Sequence, residues 1–316
     1  MSSSIAWLGL GNIGKVMCEN LARHGPSKAP VTIWNRTSEK AEELAAGRGE
    51  LFRVAATVAA AVSSNDIICL CLADDAAVAA VIGQAIEEAP VDGKLFVDFS
   101  SIHPDTAAAQ SERLRALGAE YLASSVFGGV PLAVERSITL VLAGSAAAIE
   151  SFSPYTEEVI CKNTIKLADK PCQHAATLKL IGNFMRLSMI EVLCEGSAAA
   201  EKLGLPHDTL QEFAGLFFSA SQAGQLKQLR SGAYCGAAGK ATATIAMAVK
   251  ENSHLQDLVR RNGAELHALD VITRHVDRVR DSRGPASNLL GLYGSVREAA
   301  GLPFEIPERS GCGEEK

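Results

Sequence analysis

The chain has 316 residues, 47% hydrophobic and 21% charged, the balance of a soluble globular protein with one large domain or two ordinary ones. A formal charge of −6 argues against a nucleic-acid surface. No stretch is apolar for long enough to span a bilayer. Met-Ser-Ser-Ser leads straight into an apolar run without a basic or hydrophobic leader, so the expectation is a cytoplasmic protein with no membrane partner.

The chain opens with Ile5-Ala6-Trp7-Leu8-Gly9-Leu10-Gly11-Asn12-Ile13-Gly14, an apolar run that ends in G-x-G-x-x-G and enters an amphipathic segment. A strand, a glycine turn and a helix in that order hold a dinucleotide pyrophosphate. Gly9 permits the tight turn, Gly11 lets the backbone approach the phosphates, and Gly14 lets the helix pack against the strand. The helix N-terminus, starting at Asn12 and Ile13, offers unpaired N–H groups and a positive dipole end to the anion.

Next comes Val31-Thr32-Ile33-Trp34, then Asn35-Arg36-Thr37. An NAD-selective site places Asp or Glu at the end of this strand to accept from the ribose 2′-OH. Here the position is neutral Asn35, with Arg36 beside it and Lys40 a turn later. A guanidinium forks onto a 2′-phosphate that a carboxylate would repel. The expected cofactor is therefore NADP(H), held at Asn35, Arg36 and Thr37, with Lys40 as a further candidate; the plainer alternative is that Arg36 is a solvated loop charge.

The first half alternates strands (4–9, 31–35, 66–72, 95–99, 119–122, 138–143) with helices (13–24, 38–46, 75–88, 104–117). Ser38 gives only a partial capping signal, whereas Pro104 marks a better helix start. This alternation predicts an α/β fold with a doubly wound, mostly parallel sheet of Rossmann type. Ligands of such sheets bind at the carboxyl ends of the strands, which brings Leu72, Ala73, Asp74 and Ser100 to the cofactor. Cys69 and Cys71, two apart on one strand face, read as core packing. The eight cysteines form no C-x-x-C pair or Cys/His cluster, so the expectation is reduced thiols and no metal.

After about residue 170 the strand pattern stops, and the rest reads as an all-α domain. The expected division is residues 1–170 for the cofactor and 171–316 for substrate binding and dimerisation, with the active site in the cleft between them. A long apolar stretch, 175–202, is interrupted only by Gly182 and Gly196 and belongs in a core or a subunit interface. Helices follow at 208–219, 220–231, 242–261, 263–277 and 286–300, Pro285, Pro303 and Pro307 punctuate the end, and the tail from Ser310 to Lys316 reads as frayed.

On the long helix, Lys179 and Asn183 share a face by i, i+4 spacing. A lysine among apolar neighbours pays a desolvation penalty unless it is paired. Spacing alone favours a Lys179 that snorkels to solvent.

Together these features resemble the β-hydroxyacid dehydrogenase family, which includes 3-hydroxyisobutyrate dehydrogenases and glyoxylate/succinic semialdehyde reductases, within the 6-phosphogluconate dehydrogenase superfamily. The resemblance covers nearly the whole chain. Gly9 to Gly14 and the Asn-Arg-Thr at Asn35 to Thr37 match its NADP-preferring members. Val97-Asp98-Phe99-Ser100-Ser101 is similar to its Asp-x-Ser-Ser/Thr segment, Val126-Phe127-Gly128-Gly129 to its substrate loop, Lys250-Glu251 to its later Lys-Asp pair, and the Gly-Leu-Tyr stretch with Tyr293 to its last helix.

Lys179 and Asn183 fall at the family's catalytic Lys and Asn. The resemblance implies hydride transfer between a nicotinamide and a carbonyl or β-hydroxyacid-type substrate, with Lys179 as proton donor or acceptor and Asn183 orienting the substrate. It also implies Ser101, Gly128 and Gly129 at the substrate, Lys250 at the cofactor from the second domain, and at least a homodimer. For Lys250 an ordinary surface lysine stays open.

The chain departs from the family where its substrate-loop Ser is Phe127, and where Gln173 and Ala175 replace glycines ahead of Lys179. A ring in place of a hydroxyl favours a larger or more apolar substrate. His174 is a candidate substrate-lining residue or second proton carrier, against the plainer reading of a locally satisfied histidine. Two other functions stay open: an imine reductase or reductive aminase, which Phe127 favours and Lys179 disfavours, and a non-catalytic dinucleotide-binding module.

Overall fold

A computed structural model describes residues 3–235 and 243–306. The chain divides into two compact units, Met1–Lys179 and Leu180–Lys316.

The first unit is an eight-stranded sheet wrapped by helices. In chain order it contains β1 (Ile5–Leu8), α1 (Asn12–His24), β2 (Val31–Trp34), α2 (Ser38–Ala45), β3 (Phe52–Val54), α3 (Val58–Ser63), β4 (Ile67–Leu70), α4 (Asp75–Glu88), β5 (Leu95–Asp98) and α5 (Pro104–Arg115). It continues with β6 (Glu120–Phe127), α6 (Val130–Val134), β7 (Thr139–Gly144), α7 (Ala146–Phe152) and β8 (Asn163–Ala168). The spatial order is β3-β2-β1-β4-β5-β6-β7-β8, and every neighbouring pair is parallel except β6 and β7. The doubly wound, Rossmann-type α/β fold read from the sequence is therefore the fold of this unit.

Strands β1, β4 and β5 are buried along their whole length, because helices cover both faces of the sheet. One face packs Trp7, Ile33 and Cys69 against Met17 and Leu21 of α1 and Phe152 of α7. The other packs Leu8, Ile68 and Phe96 against Val62 of α3, Ile82 of α4 and Leu114 of α5.

Five short elements lie outside the sequence expectations: β3, α3, α6, α7 and β8. In β3 only Phe52 is buried, and β8 buries no residue, so neither carries the alternation that marks a half-buried strand. The helices run five to seven residues, too short for a repeated apolar face. β6 extends to Phe127 because Ala123–Phe127 pair antiparallel with Thr139–Ala143. Thr37, not Ser38, stands at the N-cap of α2. Pro104 does open α5, and the His103 ring accepts from the Asp105 N–H.

The second unit is helical. Helix α8 (Gln173–Lys202) runs 30 residues without interruption, so Gly182 and Gly196 do not break it, and the boundary between the units falls within it. It is followed by α9 (His207–Phe217), α10 (Ala220–Arg230), α11 (Ile245–Arg261), α12 (His267–Arg283) and α13 (Leu292–Ala299).

Helix α12 runs six residues beyond its expected end, since Leu269, Ile272, Val276 and Val279 keep one apolar face until Gly284 turns the chain with φ +85°. Helix α13 starts late because Asn288 pairs with Thr244 and caps a 3₁₀ turn at Leu289–Gly291. Residue 242, Pro307 and the Ser310–Lys316 tail lie outside the described residues.

Two polar pairs knit this unit, the second of them with both partners buried. Arg297, with no exposed surface, forks onto Glu201 of α8 and donates to the Pro303 carbonyl at 2.8 Å. His275 Nδ1 of α12 meets Glu191 Oε1 of α8 at 2.6 Å. No helix among the described residues is long and apolar enough to cross a membrane.

Candidate active site

The turn after β1 has no room for side chains at two of its glycines. Gly9 has φ +105°, and a Cβ there would stand 2.3 Å from the Cys71 carbonyl oxygen. A Cβ on Gly14 would stand 2.7 Å from the Gly9 carbonyl oxygen and 3.1 Å from Cys71 Sγ. A Cβ on Gly11, by contrast, would meet nothing within 4 Å, so this position faces open space at the cleft.

The turn is pinned from three sides. Gly9 N–H donates to the Trp34 carbonyl at 2.9 Å, Trp7 Nε1 donates to the Gly9 carbonyl at 3.0 Å, and Leu10 N–H donates to Asn35 Oδ1 at 2.9 Å. Asn35 also donates from Nδ2 to the Thr37 carbonyl at 2.9 Å. Its side chain therefore ties the glycine turn to the end of β2.

A cleft of about 430 Å³ opens above this turn. It is lined by Gly9, Gly11, Ile13 and Gly14, by Asn35, Arg36, Thr37 and Lys40, and by Leu72, Ala73 and Asp74. These segments are separate in sequence, and the sheet order brings their strand ends together. Asn12 and Ser100 are not in the lining.

Sequence reading missed Leu10, Trp34, Cys71 (read as core packing, but half-buried at the cleft) and one face of α4, where Ala77, Ala80, Val81 and Gln84 line it. The i, i+3, i+4, i+7 spacing of these last four is the signal that could have found them. A concave site, phosphate-ready glycines and cations at its rim fit a dinucleotide.

Beneath the cleft lies a buried relay that the sequence did not announce. Tyr121 of β6 donates to Asp98 Oδ2 at 2.8 Å, and Ser100 N–H donates to Asp98 Oδ1 at 2.8 Å. Ser100 Oγ in turn accepts from Leu72 N–H at 2.9 Å, fixing the cleft rim. Ser100 thus reaches the cleft through Leu72. Burial pushes the Asp98 carboxyl up to about 6, although bonds from Ser100 and Tyr121 favour its charged form. Burial, and then the Asp98 charge, push the Cys71 thiol up to about 12, so it is not a thiolate nucleophile at neutral pH.

At the far end of β6 the chain turns sharply. Gly128 has φ +132°, and a Cβ there would stand 2.7 Å from Ile138 Cγ2. Gly129 is the N-cap of α6. Helix α8 brings Lys179 to this turn: its Nζ donates to the Val126 carbonyl at 2.7 Å and lies 4.8 Å from the centre of the Phe127 ring. Ser101 is half-buried in the loop after β5, and His174 is exposed in the first turn of α8.

In the second unit, Asn183 is buried and donates to Glu251 Oε2 at 2.8 Å. Glu251 follows Lys250 on α11 and is half-buried. The resemblance marks Lys250-Glu251 as a pair but gives a role to Lys250 alone; in the structure Glu251 is the residue that meets Asn183.

Residues 4–165 match the family described as the NAD binding domain of 6-phosphogluconate dehydrogenase. Over 292 residues the chain is 34% identical to the NADH-dependent oxidoreductase ucdB of Aspergillus ustus, covering 92% of this chain and 98% of that one. The chain belongs to the β-hydroxyacid dehydrogenase family. It is also 29% identical to glyoxylate/succinic semialdehyde reductase 1 of Arabidopsis thaliana, over 67% of this chain and 71% of that one. Among solved structures, a 3-hydroxyisobutyrate dehydrogenase of Mycobacterium tuberculosis superposes with a TM-score of 0.79 at 20% identity, covering 94% of this chain and all of that one. As a β-hydroxyacid dehydrogenase family member, the chain is a nicotinamide-dinucleotide-binding oxidoreductase.

The Asp98 relay generates a pH prediction. A carboxyl whose folded pKa is raised to about 6 contributes stability that is full below about pH 4 and is lost as pH rises through 6. Asp98→Asn removes that loss while its amide still spans Tyr121 and Ser100. Urea unfolding followed by tryptophan fluorescence reports this unit, since Trp7 and Trp34 both lie in it. Between pH 4 and pH 8 the wild type should lose on the order of 2–3 kcal/mol relative to the variant.

Proposed function

We propose that the chain is an NADP(H)-dependent oxidoreductase acting on a carbonyl or β-hydroxyacid-type substrate, with Lys179 as proton donor and acceptor. The observation that carries this reading is the contact of Lys179 Nζ with the Val126 carbonyl at 2.7 Å, beside the Gly128–Gly129 turn. An ammonium at the carboxyl end of a strand, next to a turn with main-chain N–H groups, suits a substrate bearing a carbonyl and a carboxylate.

When bound, the nicotinamide cofactor supplies the hydride-transfer chemistry. The chain's own residues bind and orient. Gly9, Gly11, Ile13 and Gly14 receive the pyrophosphate at the start of α1, and Leu72, Ala73 and Asp74 shape the wall beside it, with Ser100 holding the Leu72 N–H from behind. Ser101, Phe127, Gly128, Gly129 and His174 serve the substrate, and Asn183 orients it. In reduction Lys179 Nζ gives its proton to the substrate oxygen; in oxidation the neutral amine takes it back. We assign residues 1–170 to the cofactor and 171–316 to substrate binding and dimerisation. Phe127 supports a substrate larger or more apolar than the family's small acids.

The phosphorylated cofactor rests on Arg36, Thr37 and Lys40, which share the cleft rim without a carboxylate at position 35. The Aspergillus ustus relative is named as NADH-dependent, so both cofactors belong in the assay. We expect faster turnover with NADPH than with NADH. Arg36→Ala should raise KM for NADPH about tenfold and leave KM for NADH nearly unchanged. Equal use of both cofactors by the wild type would overturn the assignment.

Cofactor oxidation against aldehydes, 2-oxo acids and ketone–amine mixtures tests the reaction. Lys179→Ala should lower kcat about 10²- to 10⁴-fold while fluorescence titration still reports cofactor binding. A requirement for amine, or an undiminished rate in the variant, would transfer the reading to an imine reductase. Cofactor binding with no turnover across the panel would favour a binding module.

A homodimer is supported by one face of α8, where Ile181, Met185, Met189 and Val192 follow at helical spacing and are 42–66% exposed. Sedimentation should give a dimer for the wild type, and Met185→Glu should shift it toward monomer.

A further inference from the structure

The Phe127 ring is fixed before any ligand arrives. Its backbone pairs with Thr139 in the β6–β7 ladder, the ring packs against the sheet core, and the chain leaves through the Gly128 turn that Ile138 closes to any side chain. Lys179 is half-buried on α8, and the ring and the Val126 carbonyl are two of the contacts its ammonium makes. A ring face attracts a cation, and a carbonyl accepts from it; neither holds a neutral amine as strongly. Leucine is apolar and fills space but offers no negative ring face. The residue that replaces a hydroxyl in the substrate loop therefore has a partner within the chain.

We infer that Phe127 is a positioning residue for Lys179: its ring face, together with the Val126 carbonyl, holds the lysine ammonium at the end of β6 in the orientation from which it serves the substrate. The inference rests on Lys179 as the proton donor for its kinetic consequence, but the contact itself exists without substrate. The requirement at position 127 is an aromatic ring face, beyond any need for an apolar wall. Phe127→Tyr and Phe127→Trp keep that face, while Phe127→Leu and Phe127→Met keep only the apolar volume.

The first readout needs neither cofactor nor substrate. Acetic anhydride at fixed pH labels amines in their neutral, freely moving form, and mass spectrometry follows the peptide bearing Lys179. Labelling should be about three- to tenfold faster in the Leu and Met variants than in wild type, and within about twofold of wild type in Tyr and Trp. The second readout is kinetic, on whichever carbonyl compound the wild type reduces. Leu and Met should lower kcat about three- to tenfold with KM changed less, and Tyr should restore it.

Equal labelling in Leu, Met and wild type overturns the inference, as does an equal rise in all four variants, which would assign the effect to packing. Faster labelling in Leu and Met alone, with kcat unchanged while Lys179→Ala still loses turnover, overturns the positioning role; with kcat unchanged in Lys179→Ala as well, the contact stands and it is the proton-transfer reading of Lys179 that fails.

Discussion

The closeness of α1 to the end of β4 governs the first unit. Gly9 and Gly14 allow it: one turns with a positive φ under the Cys71 carbonyl, the other packs on the Gly9 carbonyl and the Cys71 side chain. Because backbone meets backbone there, the N-terminus of α1 is presented at the carboxyl edge of the sheet, where β2 and β4 also end. The positive end of a helix, a cationic rim and an open space at Gly11 then share one cleft. Larger residues at either position would force the helix away and separate these features.

The cleft and the lysine are organised by different parts of one sheet. The cleft depends on the parallel half, where the order β2-β1-β4 gathers three strand ends. Lys179 depends on β6, whose antiparallel pairing with β7 extends it to Phe127 and gives the Val126 carbonyl a fixed position. Helix α8 begins on the face of the sheet that holds Cys172 and Ala175, so the register of its first turns determines which side chain reaches that carbonyl.

Much of this was legible in the sequence. Gly9, Gly11 and Gly14 follow an apolar run and Arg36 follows a β-branched one, and local pattern carries both. Spacing alone reads Lys179 as snorkelling to solvent, whereas its ammonium meets the Val126 carbonyl; the family resemblance, not local pattern, singles it out. Asp98, Ser100 and Leu72 stood out in the sequence, but their connection through Tyr121 was not legible, because it joins three strands and nothing local to each residue names its partners. The Asn183–Glu251 bond is hidden for the same reason, with 68 residues between its partners. Strands β3 and β8 were missed because sheet edges bury too little to impose alternation. Helix continuity through Gly182 and Gly196 reflects tertiary packing on α8 that outweighs the local glycine preference.

Asp98 has a consequence for how the chain can vary. Each carboxylate oxygen has its own donor, from Tyr121 and from Ser100, in a place where water does not reach. Phenylalanine at 121 would strip one oxygen of its donor, and an apolar residue at 98 would strand both the tyrosine hydroxyl and the Ser100 N–H. Positions 98 and 121 are therefore bound to one another in descent: among homologous chains, an aspartate at the first should travel with a hydrogen-bond donor at the second, and the two should be lost together.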